Sequence, residues 1–378
     1  MHICINSVTR GALKINKNLP PCRRRRLRIT PAHIFPTGRI FALRDPLPAY
    51  NDCTCRKSTG AVVMYNILIV DFTSYRKTLE SLFASAGYAT RSCESAYDAM
   101  ALLKSEDFDL IVTEVELPGD NAFDLYNYIG TYYPYIPTIM ITAKNIDDFF
   151  GRIFEEGIGN VLHKPVNGEE LLSLADKLIT KKNIFGISHY LSPAGGEIRK
   201  IRITASGQIQ KAIDLIIAQI IEWGFVITSK AVLTLILNEM LINAVYHSHG
   251  FTKEKEKRVP VTLAEGDFVD IFFARGESRY GISINDYKGK LSKKRILDSL
   301  NRAIEQNNLI LRAAESGEDV SSLVSETGRG MDLVRKLLAE YYFVIKRDVR
   351  TEIILLFDRE FARTDETGSS LKIIEDLA

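Results

Sequence analysis

Between residues 66 and 181 short apolar runs alternate with amphipathic stretches, and this alternation constrains the fold more than any other feature of the chain. The runs lie at 67–70, 110–113, 137–142 and 159–163. Between them Leu79, Leu82, Phe83 and Ala86 recur at helical spacing, as do Met100 and Leu103, and finally Leu171, Leu174, Ala175 and Leu178. Strands this short and this apolar are buried on both faces, and helices separate them. The pattern predicts an α/β fold, a doubly wound parallel (βα)5 domain over residues 64–182. Functional groups in such sheets collect beyond the carboxyl ends of the strands. Those ends carry Asp71, Glu114, Thr142 and Lys164.

That set, with Glu114-x-x-Leu117-Pro118 and His163-Lys164-Pro165, resembles a response-regulator receiver domain. In that family an acidic pair holds Mg²⁺, an Asp accepts a phosphoryl group, a Thr or Ser senses it and a Lys contacts it. Three positions depart from the pattern. Asp71 is flanked by Val70 and Phe72, so only one acid remains at the first strand. Glu114 stands at the acceptor position, and Val161 where a switch aromatic is usual. The extra methylene of Glu displaces its carboxylate by more than about an ångström, enough to spoil in-line attack. A permanent ion pair between Glu114 and Lys164 is the expected substitute for phosphorylation. The alternatives are a pocket that still takes metal or modification, and a domain kept only for docking or dimerisation.

The total of 378 residues, 46% apolar and 25% charged, suggests two globular domains plus extras. The charge is uneven. Residues 1–63 hold twelve Lys or Arg against Asp45 and Asp52, a net of +10, which leaves −8 on the rest. Four of the five cysteines (Cys4, Cys22, Cys53 and Cys55) also fall there. This stretch shows no sustained apolar period and no secretory apolar region. It is read as a disordered basic extension, with Met64 as the expected true start, rather than a nucleic-acid arm built on the arginines at 23–28. No run reaches the ~18–20 apolar residues that span a bilayer. Cys93 alone cannot form an internal disulfide in the folded part, and no Cys/His cluster has zinc spacing. These features fit a soluble protein of the reducing cytoplasm.

Residues 183–205 read as a linker with Pro193 and Gly195-Gly196. Its Ser188-His189 echoes a histidine-kinase phospho-acceptor box, but Pro193 and the glycine pair would break the long helical hairpin such a box requires. Ile209, Ile213, Ile216, Ile217 and Ile220 then predict one helix, and residues 229–247 a second. On the second helix Glu239, Asn243 and His247 lie at i, i+4 and i+8 on one face, opposite Leu233, Leu237, Met240 and Ala244. Strands are expected at 259–264, 269–274 and 280–285, the last ending at Asp286 with Gly289 nearby. Residues 291–327 read as a lid, with a helix around 295–304 and a polar stretch beyond it. Gly328-Arg329-Gly330 opens another helix, Thr351-Glu352 begins a strand, and residues 361–378 are expected to be a loose tail.

This order of motifs, Glu-x-x-x-Asn-Ala-x-x-His, Asp, Gly-x-Gly and Thr, resembles the GHKL (Bergerat) ATP-binding fold, an α/β sandwich here assigned to 206–360. The family is shared by histidine kinases, gyrase-type ATPases and anti-sigma-factor serine kinases. The resemblance implies that Glu239 is the catalytic base, that Asn243 coordinates Mg²⁺, and that Asp286 and Thr351 meet adenine. It also implies that Gly289, Gly328, Arg329 and Gly330 shape the nucleotide site. His247 either approaches a phosphate or caps its helix, and Asp286 either meets the base or serves a turn. The loop after Asp286 has one glycine where the family has two, and Arg350 replaces a usual glycine before Thr351.

Without a dimerisation hairpin, and with its Gly-Arg-Gly-Met loop, the domain is most similar to the anti-sigma-factor branch. The implied function is a cytoplasmic regulator: a degenerate receiver controlling an ATP- and Mg²⁺-dependent protein serine/threonine kinase. The implied partners are an anti-anti-sigma-type substrate and a sigma factor, with neither membrane nor nucleic acid expected and a homodimer allowed. The alternatives are an ATP-gated protein-binding module without phosphotransfer, and a histidine kinase acting in trans.

Overall fold

Four of the first five strands are too apolar to face water on either side, and their chain order determines how they pair. The structure, a computed structural model, describes residues 64–119, 122–316, 329–338, 340–358 and 369–376. All belong to one unit, Val62–Ala378. The expectations for residues 1–63 and for Gly328 lie outside the described residues, as does the Arg329 side chain.

The first half contains β1 (Asn66–Val70), β2 (Ala89–Cys93), β3 (Leu110–Glu114), β4 (Thr138–Thr142) and β5 (Asn160–His163). They alternate with α1 (Tyr75–Ser85), α2 (Ala96–Ser105), α3 (Ala122–Tyr132), α4 (Phe150–Glu156) and α5 (Gly168–Thr180). All five strands are parallel in the order β2-β1-β3-β4-β5. Each parallel pairing needs a crossover, which the helices supply. Side-chain caps set where two of these helices begin. Ser95 accepts the Asp98 amide at α2, and Asn167 accepts the Glu169 and Glu170 amides at α5.

The second half is an antiparallel sheet of β6 (Ile198–Ile203), β7 (Val269–Arg275), β8 (Arg279–Asp286), β9 (Glu340–Lys346) and β10 (Arg350–Asp358). One face is covered by α6 (Ile209–Glu222), α7 (Lys230–Ile242), α9 (Lys293–Ser316) and α10 (Arg329–Leu337). The short α8 (Thr252–Glu256) follows a single π-helical turn, Asn243–His247. The helix expected over 229–247 therefore changes its winding at Asn243. The lid helix is longer than expected, and the strand expected at 259–264 is reduced to one bridge, Ala205–Thr262.

Two expectations are corrected. The segment expected to be a loose tail carries β11 (Leu371–Asp376), which pairs antiparallel with β5 and parallel with β9. It joins the two halves into one 11-stranded sheet, β2-β1-β3-β4-β5-β11-β9-β10-β8-β7-β6. Leu371, Ile373 and Ile374 are buried, and Lys372, also buried, reaches Glu170 of α5. The physical reason is that β5 and β9 would otherwise expose rows of unpaired backbone groups.

The supposed linker is likewise packed. Ile184, Ile187 and Leu191 are buried on the sheet face opposite α7, and Gly186 donates its amide to the buried Glu352 at 2.8 Å. The two halves also meet through side chains. Arg335 of α10, wholly buried, bridges Asp332 of its own helix and Asp147 of the 3₁₀ turn Ile146–Phe149, each at 2.7 Å.

Replacing Ile374 by Ala should lower unfolding stability by about 2–5 kcal/mol, as for a truncated core aliphatic. Urea unfolding of the two proteins measures this, and an unchanged midpoint would mean that the segment is the loose tail its composition suggested.

Candidate functional site

Two sites emerge, one at the carboxyl ends of the parallel strands and one between the antiparallel sheet and its helices. In the first, Asp71 follows β1, Glu114 and Thr142 close β3 and β4, and Lys164 follows β5. The Lys164 ammonium bonds Asp71 Oδ2 at 2.7 Å and also pairs with Glu114 Oε2. Asp71 Oδ1 accepts from the Thr73 amide at 2.7 Å and from its hydroxyl at 2.6 Å. Glu114 Oε1 accepts from the amides of Val115 at 2.8 Å and Glu116 at 3.3 Å. Thr142 Oγ1 accepts from the Lys144 amide at 3.0 Å, and the Lys144 ammonium pairs with Glu116.

Burial depresses the Lys164 pKa, but hydrogen bonds and charge from Asp71 and Glu114 outweigh that and hold it above the usual value. All four carboxylate oxygens of the acid pair are thus engaged within the protein. Among the described residues no cluster of three or more His, Cys, Asp or Glu is arranged to hold a metal.

The second site is a cleft of about 1220 Å³ walled by α7, the π turn, α8, β8, β10, α9 and α10. It brings together Glu239, Asn243, His247, Asp286, Gly330 and Thr351. Asp286 ends β8 and lies directly across the ladder from Thr351 of β10. Its Oδ1 accepts from the amides of Lys288 at 3.0 Å and Gly289 at 2.9 Å. Burial raises the Asp286 pKa, and those amides, with the nearby Ser248 and Thr351 hydroxyls, pull it back in part. Thr351 Oγ1 is itself buried, and the Asp286 carboxylate is the acceptor that its hydroxyl faces.

Gly330, near the start of α10, sits where a Cβ would come within 2.5 Å of Glu239 Cβ. Glycine is what allows α10 to lie directly on α7. Gly289 does not line the cleft. It has φ +59°, and a Cβ there would stand 2.5 Å from Lys346 O and Val349 N, so it serves the turn that presents Asp286.

Basic residues that carried no motif also line the cleft: Lys255, Lys290 and Arg295. The Lys255 ammonium donates to Asn243 Oδ1 at 3.1 Å and lies 3.0 Å from His247 Nε2. Burial, then the charges of Lys255 and Arg295, push the His247 pKa down to about 4, so the ring is neutral at physiological pH. Only proximity in space reveals Lys255. It lies twelve positions beyond Asn243 and across a turn, at no helical spacing from it.

The doubly wound fold and the Asp, Glu, Thr and Lys at its strand ends define a receiver-type signalling domain. Residues 67–176 match the family described as response regulator receiver domain, and this segment is such a domain. The chain is 30% identical over 116 residues to the DNA-binding transcriptional regulator NtrC of Proteus hauseri, covering 30% of this chain and 24% of that protein. It is 31% identical over 117 residues to the response regulator protein PilR of Pseudomonas aeruginosa, covering 31% and 26%. The chain thus spans about a quarter of the length of these relatives. The signal receiver domain of an HD domain-containing protein from Pseudomonas fluorescens aligns at 27% identity with a TM-score of 0.30, covering 32% of this chain and 96% of that one. Among the described residues no helix is long and apolar enough to cross a membrane.

Because Lys164 and backbone amides occupy the Glu114 carboxylate, a small acyl-phosphate donor with Mg²⁺ should leave the protein unlabelled. Mass spectrometry after incubation reads this, and a phosphoryl group on Glu114 would contradict it.

Proposed function

We propose that the second half of the chain is a GHKL-type ATP site that transfers a phosphoryl group to a serine or threonine of a protein partner. The receiver domain would serve as a fixed, non-phosphorylated regulatory module. The observation that carries this reading is the convergence of Glu239, Asp286, Gly330 and the buried Thr351 on one cleft.

The residues present fit ATP. Asp286 offers an acceptor-only carboxylate to the exocyclic amine of adenine, which carries donors. The Thr351 hydroxyl beside it would add a second polar contact, directly or through water. The amino end of α10 favours anionic phosphates, and Arg295 and Lys290 add positive charge to the same wall. Glu239, half-buried under Gly330, would accept the proton of the attacking hydroxyl.

Asn243 does not fit a preset metal, because its Oδ1 accepts from Lys255. Among the described residues none would hold Mg²⁺ by itself; a Mg²⁺ bound to the nucleotide would supply charge neutralisation during transfer. The partners proposed are an anti-anti-sigma-type protein as substrate and a sigma factor as client, in the cytoplasm. One observation favours an ATP-gated binding module instead: Glu239 packs closely against α10, a position that also serves structure alone.

Incubation with γ-labelled ATP and lysate of the parent cell should yield an acid-stable label on a small protein. Glu239→Ala should cut that transfer by ~10²–10⁴-fold while leaving ATP affinity nearly unchanged. Undiminished transfer would exclude the base role. An acid-labile label would point to a histidine kinase, and bound ATP with no label to the binding module.

A further inference from the structure

The π turn and α8 together bring a lysine of one element against two cleft residues of another. Ser248 donates its amide to Asn243 O at 3.2 Å, which closes the wide turn, and Phe251 donates to Tyr246 O at 2.8 Å. Lys255 donates its amide to Phe251 O at 3.0 Å, and Val259 to Glu254 O at 2.8 Å. The Tyr246 hydroxyl donates to Val259 O at 3.1 Å. These bonds pin α8 to the end of α7, and the Lys255 side chain is directed to two cleft residues. Its ammonium donates to Asn243 Oδ1 at 3.1 Å and lies 3.0 Å from His247 Nε2.

An ammonium offers donors only, so His247 Nε2 is the acceptor in that contact, and a neutral imidazole brings no charge of its own. Two of the three N–H donors of Lys255 are then engaged by the protein; burial lowers its pKa and the charge of nearby Glu239 opposes that. A divalent cation on Asn243 would need the same Oδ1 at about 2.1 Å, with further oxygens in near-octahedral array. An imidazole nitrogen and a like-charged ammonium already take up this place, with the Glu239 carboxylate balancing the ammonium's charge. Arg295, on α9, adds a second positive charge to this part of the cleft.

We propose that Lys255 is a built-in cation that stands where a divalent metal would otherwise be required, so that the cleft binds the phosphates of a nucleoside triphosphate without Mg²⁺. The inference rests on the reading of the cleft as an ATP site. Lys255 is then the residue that holds the phosphate end of the ligand, with Asn243 and His247 positioning its ammonium. Mg²⁺ has no part in the affinity of this protein for nucleotide, whatever part it has in transfer.

The test is equilibrium titration of the full chain with ATP, once with excess Mg²⁺ and once with EDTA, for the wild type, Lys255→Met and Lys255→Arg. The wild type should bind with affinities that agree within about threefold in the two media. Lys255→Met should bind about ten- to a hundredfold more weakly in EDTA, the loss of one charged hydrogen bond, and regain part of that with Mg²⁺. Lys255→Arg, which keeps the charge, should stay close to the wild type in EDTA. A purely structural role for Lys255 would lower affinity equally in both media and would overturn the proposal. So would a wild type that releases ATP on addition of EDTA, which leaves the ATP site itself standing. A wild type that binds ATP in neither medium overturns the ATP reading and this inference together.

Discussion

The pairing of β11 with both β5 and β9 is the constraint on which the rest of the architecture depends. A parallel sheet and an antiparallel sheet each end in an edge, and an open edge leaves backbone donors and acceptors unsatisfied. Six residues near the end of the chain close both at once. Helices then cover each face of a continuous sheet, with α2, α3, α4, α6, α7, α9 and α10 on one side. On the other side α1, α5 and the segment around Ile184 and Leu191 complete the cover. Through this splint and through the Asp147–Arg335 bridge, the turn after β4 of the receiver domain is tied to α10, the helix that walls the cleft.

The receiver pocket and the cleft follow the same chemical logic. In each, a lysine ammonium is held by side chains of the protein itself. Lys164 bridges Asp71 and Glu114, and Lys255 engages Asn243 and His247. An internal ammonium neutralises charge permanently, without the binding equilibrium a metal brings. In the receiver domain both carboxylates of the acid pair are engaged by a cation of the protein itself. In the cleft the Lys255 ammonium is a positive charge held against Asn243 and His247.

Much of this was legible in the sequence, for reasons that differ between regions. The receiver strands could be read because both of their faces are buried, which forces uninterrupted apolar runs such as 67–70 and 110–113. The residues that the structure gathers around the cleft lie on separate elements, and their motifs mark each one locally. What stayed hidden was non-local. β11 reads as Leu371-Lys372-Ile373-Ile374, and the buried Lys372 interrupts the apolar signal because its partner Glu170 lies about two hundred positions away. The segment around Pro193 looked like a linker because turns dominate its composition, whereas its isolated apolar residues Ile184, Ile187 and Leu191 do the packing. Lys255 was missed because the π turn resets the helical phase between it and Asn243. Gly289 was placed at the ligand because glycine near a phosphate-binding motif invites that reading, whereas its role is to let the turn under Asp286 close.

The central claim is that Asp286 and Thr351 form a base-recognition corner that reads adenine. It is tested most directly by calorimetric titration of the full chain with ATP and with GTP under the same conditions. Adenine presents an exocyclic amine to the Asp286 carboxylate, whereas guanine presents a carbonyl oxygen there and leaves two acceptors facing each other. The account predicts binding of ATP and a loss of about 10²-fold or more for GTP, because a site built to accept a hydrogen bond rejects an analogue that cannot donate one. Equal affinity for the two nucleotides, or heat from neither, would contradict it.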